Sequence, residues 1–216
     1  MSKPIIYWHY FSAPCRGNWL CVQNLGIDVD FRLLNLVEKE QLKPEFLKIN
    51  PMHCVPTLDD DGYVIWESRA ISTYLADSKT PDTPLYPKDS KKRGLIDARL
   101  YFDGTFLHMR MRGLIGPVIY QGETKLKEAN VEALREAYNY LEEFLSKTQF
   151  VAGDNLTLAD CHILSVISTM KLLGVGFENH PKIANWYENC RKNVKGFDEN
   201  EKYAQQFVDY IKSKLE

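Results

Sequence analysis

Residues 53–69 read His53-Cys54-Val55-Pro56-Thr57-Leu58-Asp59-Asp60-Asp61-Gly62-Tyr63-Val64-Ile65-Trp66-Glu67-Ser68-Arg69. Two short apolar runs, Val55–Leu58 and Tyr63–Trp66, flank Asp59-Asp60-Asp61-Gly62, whose Asp-Gly end is a hairpin turn signal. Helical period takes over at once, from Glu67 to Asp77. Upstream, Leu42–Leu47 predicts a short helix that Asn50-Pro51 breaks. Before it, Val29–Leu34 alternates as a strand. A helix over Cys15–Leu25 has Pro14 at its start, where the missing N–H costs nothing, and Gly26 where a left-handed cap belongs. Ile5–Trp8 is a β-type run, so the order is βαβαββα.

Downstream of the hairpin unit, Pro81, Pro84 and Pro87 punctuate a polar stretch that predicts a linker. Every long segment after it has helical period. Val131, Leu134, Tyr138, Leu141 and Leu145 form one apolar stripe, and Ile163, Val166, Met170 and Leu173 another. The segment Lys92–Tyr120 carries two stripes, Leu95/Phe102/Phe106/Met109 and Ile96/Leu100/Leu107/Met111/Leu114/Val118, and predicts one long helix packed on two sides. The expected architecture is an α/β domain over residues 1–80, a linker over 81–90 and an all-helical domain over 91–216.

The 216 residues are 44% hydrophobic and 26% charged, an ordinary balance for a globular chain and one that excludes disordered and collagen-like classes. A net charge of −2 gives no case for nucleic acid or an anionic membrane as the main partner. The five cysteines have no regular spacing and no CxxC pair, which argues against a disulfide framework and a zinc site. With no signal-peptide pattern and no long apolar run, the expectation is a cytoplasmic protein without a metal.

Several residues can carry chemistry. Ser12 lies between the first strand and the first helix, where a hydroxyl either caps the helix or donates to an anion above its N-terminus. Cys15, one turn on, is either a thiol activated by that N-terminus or a buried, inert one. Val55-Pro56 precedes a strand; a trans bond would simply start an edge strand, and a cis bond would turn the Val55 backbone outward for strand addition. Glu67-Ser68 opens a helix and reads either as a cap or as a clamp for an α-amino-acid end, with Ser68 on the carboxylate and Glu67 on the ammonium. Asp103 interrupts an apolar stripe and needs a partner, either an ion pair with a residue such as Arg99 or a polar interdomain cleft. Thr157 and Asp160 have capping-box spacing. His9, His108, His162 and His180 have no metal-ligand spacing.

Taken jointly, Tyr10–Arg16, Glu40–Pro51, His53–Leu58, Trp66–Ile71 and Leu156–Asp160 resemble a cytosolic glutathione S-transferase over the whole length, most like the insect delta and epsilon classes. The resemblance implies a thioredoxin-like N-terminal domain with Pro56 cis, glutathione as co-substrate and a homodimer. It implies Ser12 as the catalytic hydroxyl, His53 at the glycine end of glutathione and the Val55 backbone on its cysteinyl unit, with Gln41, Cys54 and Pro56 in the same glutathione-binding set. Glu67, Ser68 and Arg69, ordered by Asp103, would hold the γ-glutamyl end. Gln41 stands where many relatives have histidine, and Cys54 adds a thiol beside His53. The electrophile pocket is expected along Phe11, His108, Met111, Arg112, Ile115, Tyr120 and Phe207, taking small apolar electrophiles for detoxification. The alternative is a carrier of apolar ligands, such as steroids or fatty acids, on the same fold; a retained Ser12, His53, Glu67 and Ser68 set argues for catalysis.

Overall fold

The computed structural model describes residues 3–216. Ile5–Trp8 (β1) runs parallel to Asp30–Leu33 (β2), with Ile6 opposite Phe31. A parallel pair needs a crossover, and the helix Ala13–Leu25 (α1) supplies it. On its other side β1 pairs antiparallel with Thr57–Asp60 (β3), which pairs with Tyr63–Trp66 (β4), giving the order β2-β1-β3-β4. Asp61 and Gly62 take positive φ in the expected turn, and the Gly62 N–H donates to Asp59 Oδ1 at 2.8 Å. Strand β3 starts at Thr57 rather than Val55, after Pro56, which has no N–H to give a ladder. The predicted helix over Leu42–Leu47 is split into a 3₁₀ turn, Glu40–Leu42, and the four-residue helix Pro44–Leu47 (α2).

Helix α1 ends at Gly26, whose φ of 69° lets its N–H reach Val22 O at 3.0 Å. The helix Ser68–Lys79 (α3) packs beside α1 on one face of the sheet. Ile6, Leu58, Val22, Ile71 and Leu75 meet there in the core of the α/β unit. Residues 81–90 are no loose tether: Leu85 and Tyr86 are buried, the Tyr86 hydroxyl donates to Asp97 Oδ1, and Arg93 stacks over the Tyr86 ring at 4.1 Å.

The helical half comprises Ser90–Phe102 (α4), His108–Tyr120 (α5), Glu128–Leu145 (α6), Leu158–Leu173 (α7), Pro181–Asn193 (α8) and Phe197–Lys212 (α9). The single long helix expected over Lys92–Tyr120 is interrupted between α4 and α5 by one wide π-helical segment, Asp103–Leu107. Such a segment inserts an extra residue per turn and shifts the register between the two apolar stripes. In α5, Pro117 lacks the N–H that would reach the Gly113 carbonyl, and Asn130 Nδ2 donates there instead at 2.9 Å. Helix α7 is buried almost throughout because it lies between α1 and α9, and so joins the two halves. It starts on the expected capping box: the Thr157 N–H donates to Asp160 Oδ2 at 2.9 Å, while Asp160 Oδ1 accepts from the Val151 N–H and the Trp186 indole.

Candidate active site

Ser12 is the N-cap of α1, in extended conformation at φ −82° and ψ 114°. Its Oγ accepts from the Cys15 N–H at 3.3 Å, and its own N–H donates to His9 O at 3.0 Å. The hydroxyl is thus used as an acceptor by the helix, leaving its hydrogen to donate elsewhere. The cap and anion-donor readings are therefore compatible. Cys15 is fully buried, and burial pushes its thiol up to about 12, so the inert reading of that residue holds.

The 50–57 loop is organised by Asn50, which the sequence marked only as a helix breaker. Asn50 is buried; its Nδ2 donates to Thr57 Oγ1 at 2.8 Å and to Cys54 O at 3.3 Å, and its Oδ1 accepts from the Met52 N–H. An Asn before Pro in a turn signal was the available clue, but nothing local showed that its side chain points inward. Within this loop Val55–Pro56 is cis, and His53 takes a positive φ of 44°. Cys54 is half-buried and accepts a contact from Asn50 Nδ2 at 3.4 Å. Burial raises its thiol above the ordinary range, and the Glu67 carboxylate adds to the rise, so Cys54 is a poorly ionised thiol. Gln41 lies in the preceding 3₁₀ turn with its Oε1 buried and unpartnered.

Glu67 occupies the N-cap position of α3 without a side-chain capping hydrogen bond, at an unusual φ of 73° and ψ of 102°, and its side chain is exposed beside the helix start. Ser68 is buried; its carbonyl accepts from Asn18 Nδ2 at 2.7 Å, which ties the N-terminal turn of α3 to α1. Its hydroxyl accepts from Arg69 Nη1 at 3.0 Å. Arg69 Nε then donates to Asp103 Oδ2 at 2.8 Å, and Nη2 forms a second contact to the same oxygen. Asp103 is therefore paired with Arg69 and not with Arg99, which instead donates to Val151 O at 2.8 Å and lies over Phe144. Asp103 is fully buried with Oδ1 unpartnered, and its place at the start of the π segment turns it inward. One Ser68–Arg69–Asp103 chain thus links the α3 N-terminus to the helical half.

The expected pocket residues divide by burial. Phe11 packs its ring 5.3 Å from both Phe207 and Tyr210. Met111, Ile115 and Phe207 are buried in the helical core, whereas Arg112 and Tyr120 are exposed. Met111 and Ile115 sit on the core-facing side of α5, so the stripe that placed them at a pocket is largely a packing stripe. His108 is half-buried; burial, reinforced by the Arg69 and Arg112 charges, pushes its imidazole down to about 4. Two cavities, ≈ 380 Å³ along α4 and α6 and ≈ 300 Å³ between α6 and α8, share no residue with the Ser12 group.

The family model described as the glutathione S-transferase N-terminal domain matches residues 3–77, and the C-terminal domain model matches residues 100–193. The chain belongs to the glutathione S-transferase family. It superposes on glutathione S-transferase unclassified 2 from Bombyx mori with a TM-score of 0.94 at 40% identity, covering all of both chains. A delta-class glutathione transferase from Nilaparvata lugens gives 0.94 at 39% identity, over 99% of this chain and 100% of that one. A glutathione transferase homolog from Drosophila mojavensis, solved with bound glutathione, gives 0.93 at 36% identity, over 100% of this chain and 99% of that one. Delta- and epsilon-class insect enzymes both stand among the neighbours of this glutathione S-transferase. No helix among its described residues is long and apolar enough to cross a membrane.

Proposed function

We propose that this chain joins the sulfur of glutathione to small apolar electrophiles, with Ser12 stabilising the thiolate. The observation that carries the reading is the Ser12 hydroxyl, held by the Cys15 N–H at the α1 N-terminus with its hydrogen left to donate. An ordinary thiol of pKa ~8.5 is only a few per cent ionised at neutral pH, and lowering it by about two units takes ~2.7 kcal/mol of preference for the anion. A hydroxyl donor and a helix N-terminus supply interactions of that order. The thiolate attacks the electrophilic carbon, the sulfur–carbon bond forms, and the leaving group departs with the electron pair. Ser12 is a donor here and never the nucleophile.

In this reading the cis Val55-Pro56 segment pairs its backbone with the cysteinyl unit, Cys54 lies beside it, and His53 and Gln41 face the glycine end. Glu67 takes the ammonium of the γ-glutamyl end and Ser68 its carboxylate, with Arg69 and Asp103 holding Ser68 in place. The electrophile lies against Phe11, Phe207 and His108, with Arg112 and Tyr120 at the mouth and Met111 and Ile115 behind them in the core. We assign residues 1–80 to the glutathione-binding domain, 81–90 to the connection and 91–216 to the electrophile domain. We further propose a cytoplasmic homodimer serving detoxification. Exposed Tyr101 and Met109 on α4 and α5 support the dimer. A conjugation assay with a generic aryl halide, with and without glutathione, tests the reading; a rate no faster than the uncatalysed one overturns it.

A further inference from the structure

We propose that Arg16 is a positioning residue for thiolate formation, a buried guanidinium that makes no ion pair behind the turn that carries Ser12. The proposal rests on the Ser12 reading given above. Arg16 is 0% exposed, although it carries a full charge on the second turn of α1. Its Nη1 donates to Tyr10 O at 2.7 Å, directly beneath the Tyr10–Ser12 turn. Its Nε donates to Asn200 Oδ1 at 3.2 Å and its Nη2 to Ser165 O at 2.9 Å, with Thr169 Oγ1 also in contact. Every one of these acceptors is neutral, and among the described residues no carboxylate forms an ion pair with it.

Burying a cation without an opposite charge is expensive, and a neutral side chain of similar length could tie α1 to α7 and α9 without that penalty. The charge is therefore the informative property. The titratable and charged groups facing it are few. Its own helix offers Cys15, the preceding turn offers Tyr10, α7 offers the neutral acceptors Ser165 and Thr169 together with the buried His162 packed against Gly17, and α9 offers Glu201 beside Asn200. Glu201 acts on Arg16 through space but forms no ion pair with it, and its Oε1 is buried without a hydrogen-bond partner. Burial lowers Arg16 only to about 10, so it stays charged at neutral pH. Its field already favours the anionic form of the Cys15 thiol, one turn from Ser12. An anion held by the Ser12 hydroxyl lies in the same field, and the Tyr10 contact fixes the turn that presents that hydroxyl.

The test exploits Asn200. Asn200→Asp keeps the acceptor for Arg16 Nε, lets the Ser168 hydroxyl turn to donate, and places a carboxylate on the guanidinium. The readout is the ultraviolet absorbance of the glutathione thiolate titrated in the binary complex, with the glutathione Kd and the melting temperature measured alongside. We expect the bound thiol pKa to rise by about one unit, with Kd unchanged within about two-fold. Conjugation then falls several-fold near neutrality and recovers at alkaline pH. Arg16→Lys should keep the low thiol pKa and Arg16→Met should raise it, a pair that decides the matter if Asn200→Asp does not fold. A lowered wild-type pKa left unchanged in Asn200→Asp, or shifted equally by Lys and Met at position 16, overturns this proposal alone. A wild-type complex whose thiol titrates like free glutathione overturns the Ser12 reading and this proposal with it.

Discussion

Arg69 joins two groups 35 positions apart in the chain, the Ser68 hydroxyl and the Asp103 carboxylate. Removing the charge from a fully buried partner leaves the other ion uncompensated, which in buried pairs destabilises by about 3 kcal/mol or more. Asp103→Asn should therefore lower stability in urea by that order and raise the glutathione KM more than it lowers kcat. An unchanged KM with a lost kcat would place Asp103 at the reacting atoms instead. His108 makes a pH prediction. Its imidazole, lowered to about 4 in the fold mainly by burial, protonates in the unfolded chain near 6.5. The unfolded state then binds a proton that the folded state refuses, so stability is full above pH 6.5 and is lost as pH falls toward about 4. In thermal melts across that window, His108→Phe should flatten the acid-side decline relative to wild type. A decline of equal slope in both proteins would contradict the assignment.

At the scale of elements, Asp160 fixes the start of α7 and with it the junction of the two halves. Its carboxylate accepts from the Val151 and Thr157 backbone and from the Trp186 indole. Asp160→Ala removes the acceptor of four donors, the Thr157 hydroxyl being the fourth, at ~1–3 kcal/mol for each left unpaired, so a loss of about 3 kcal/mol or more is expected in chemical denaturation. A change under about 1 kcal/mol would mean that water replaces the carboxylate. Capping boxes, Gly26 and the Asp-Gly turn were legible because they depend on residues within a few positions of one another. The hairpin and its strands were legible for the same reason. What was not legible depends on distant partners. The Asp103 interruption was visible, but the choice of Arg69 over Arg99 is made by the π segment, which rotates Asp103 inward toward α3. Met111 and Ile115 share the spacing of pocket residues and core residues alike, and only the packing of α5 separates the two. Asn50 looked like punctuation and proved to be the organising side chain of its loop.

At the scale of the whole molecule, α1 belongs to both cores: Cys15 and Val22 pack in the α/β unit, and Ala13, Leu20 and Cys21 pack with the helices. The Ser12 turn is therefore held from both sides. The βαβαββα order was readable ahead of the structure, and the way α7 clasps α1 was not, since a continuously apolar helix announces burial without naming its neighbour. The exposed Tyr101 and Met109 on α4 and α5 predict a two-fold assembly, so light scattering at micromolar concentration should give twice the chain mass of 25.0 kDa. A mass of one chain would contradict it. The central claim, that this fold places a hydroxyl to stabilise the glutathione thiolate, is tested most directly by the steady-state kinetics of Ser12→Ala with a generic aryl halide, measured with the glutathione Kd. Loss of a charge-assisted donor worth ~1.5–3 kcal/mol predicts a fall in kcat/KM of about 10- to 100-fold with Kd nearly unchanged; wild-type rates in the variant would contradict the account.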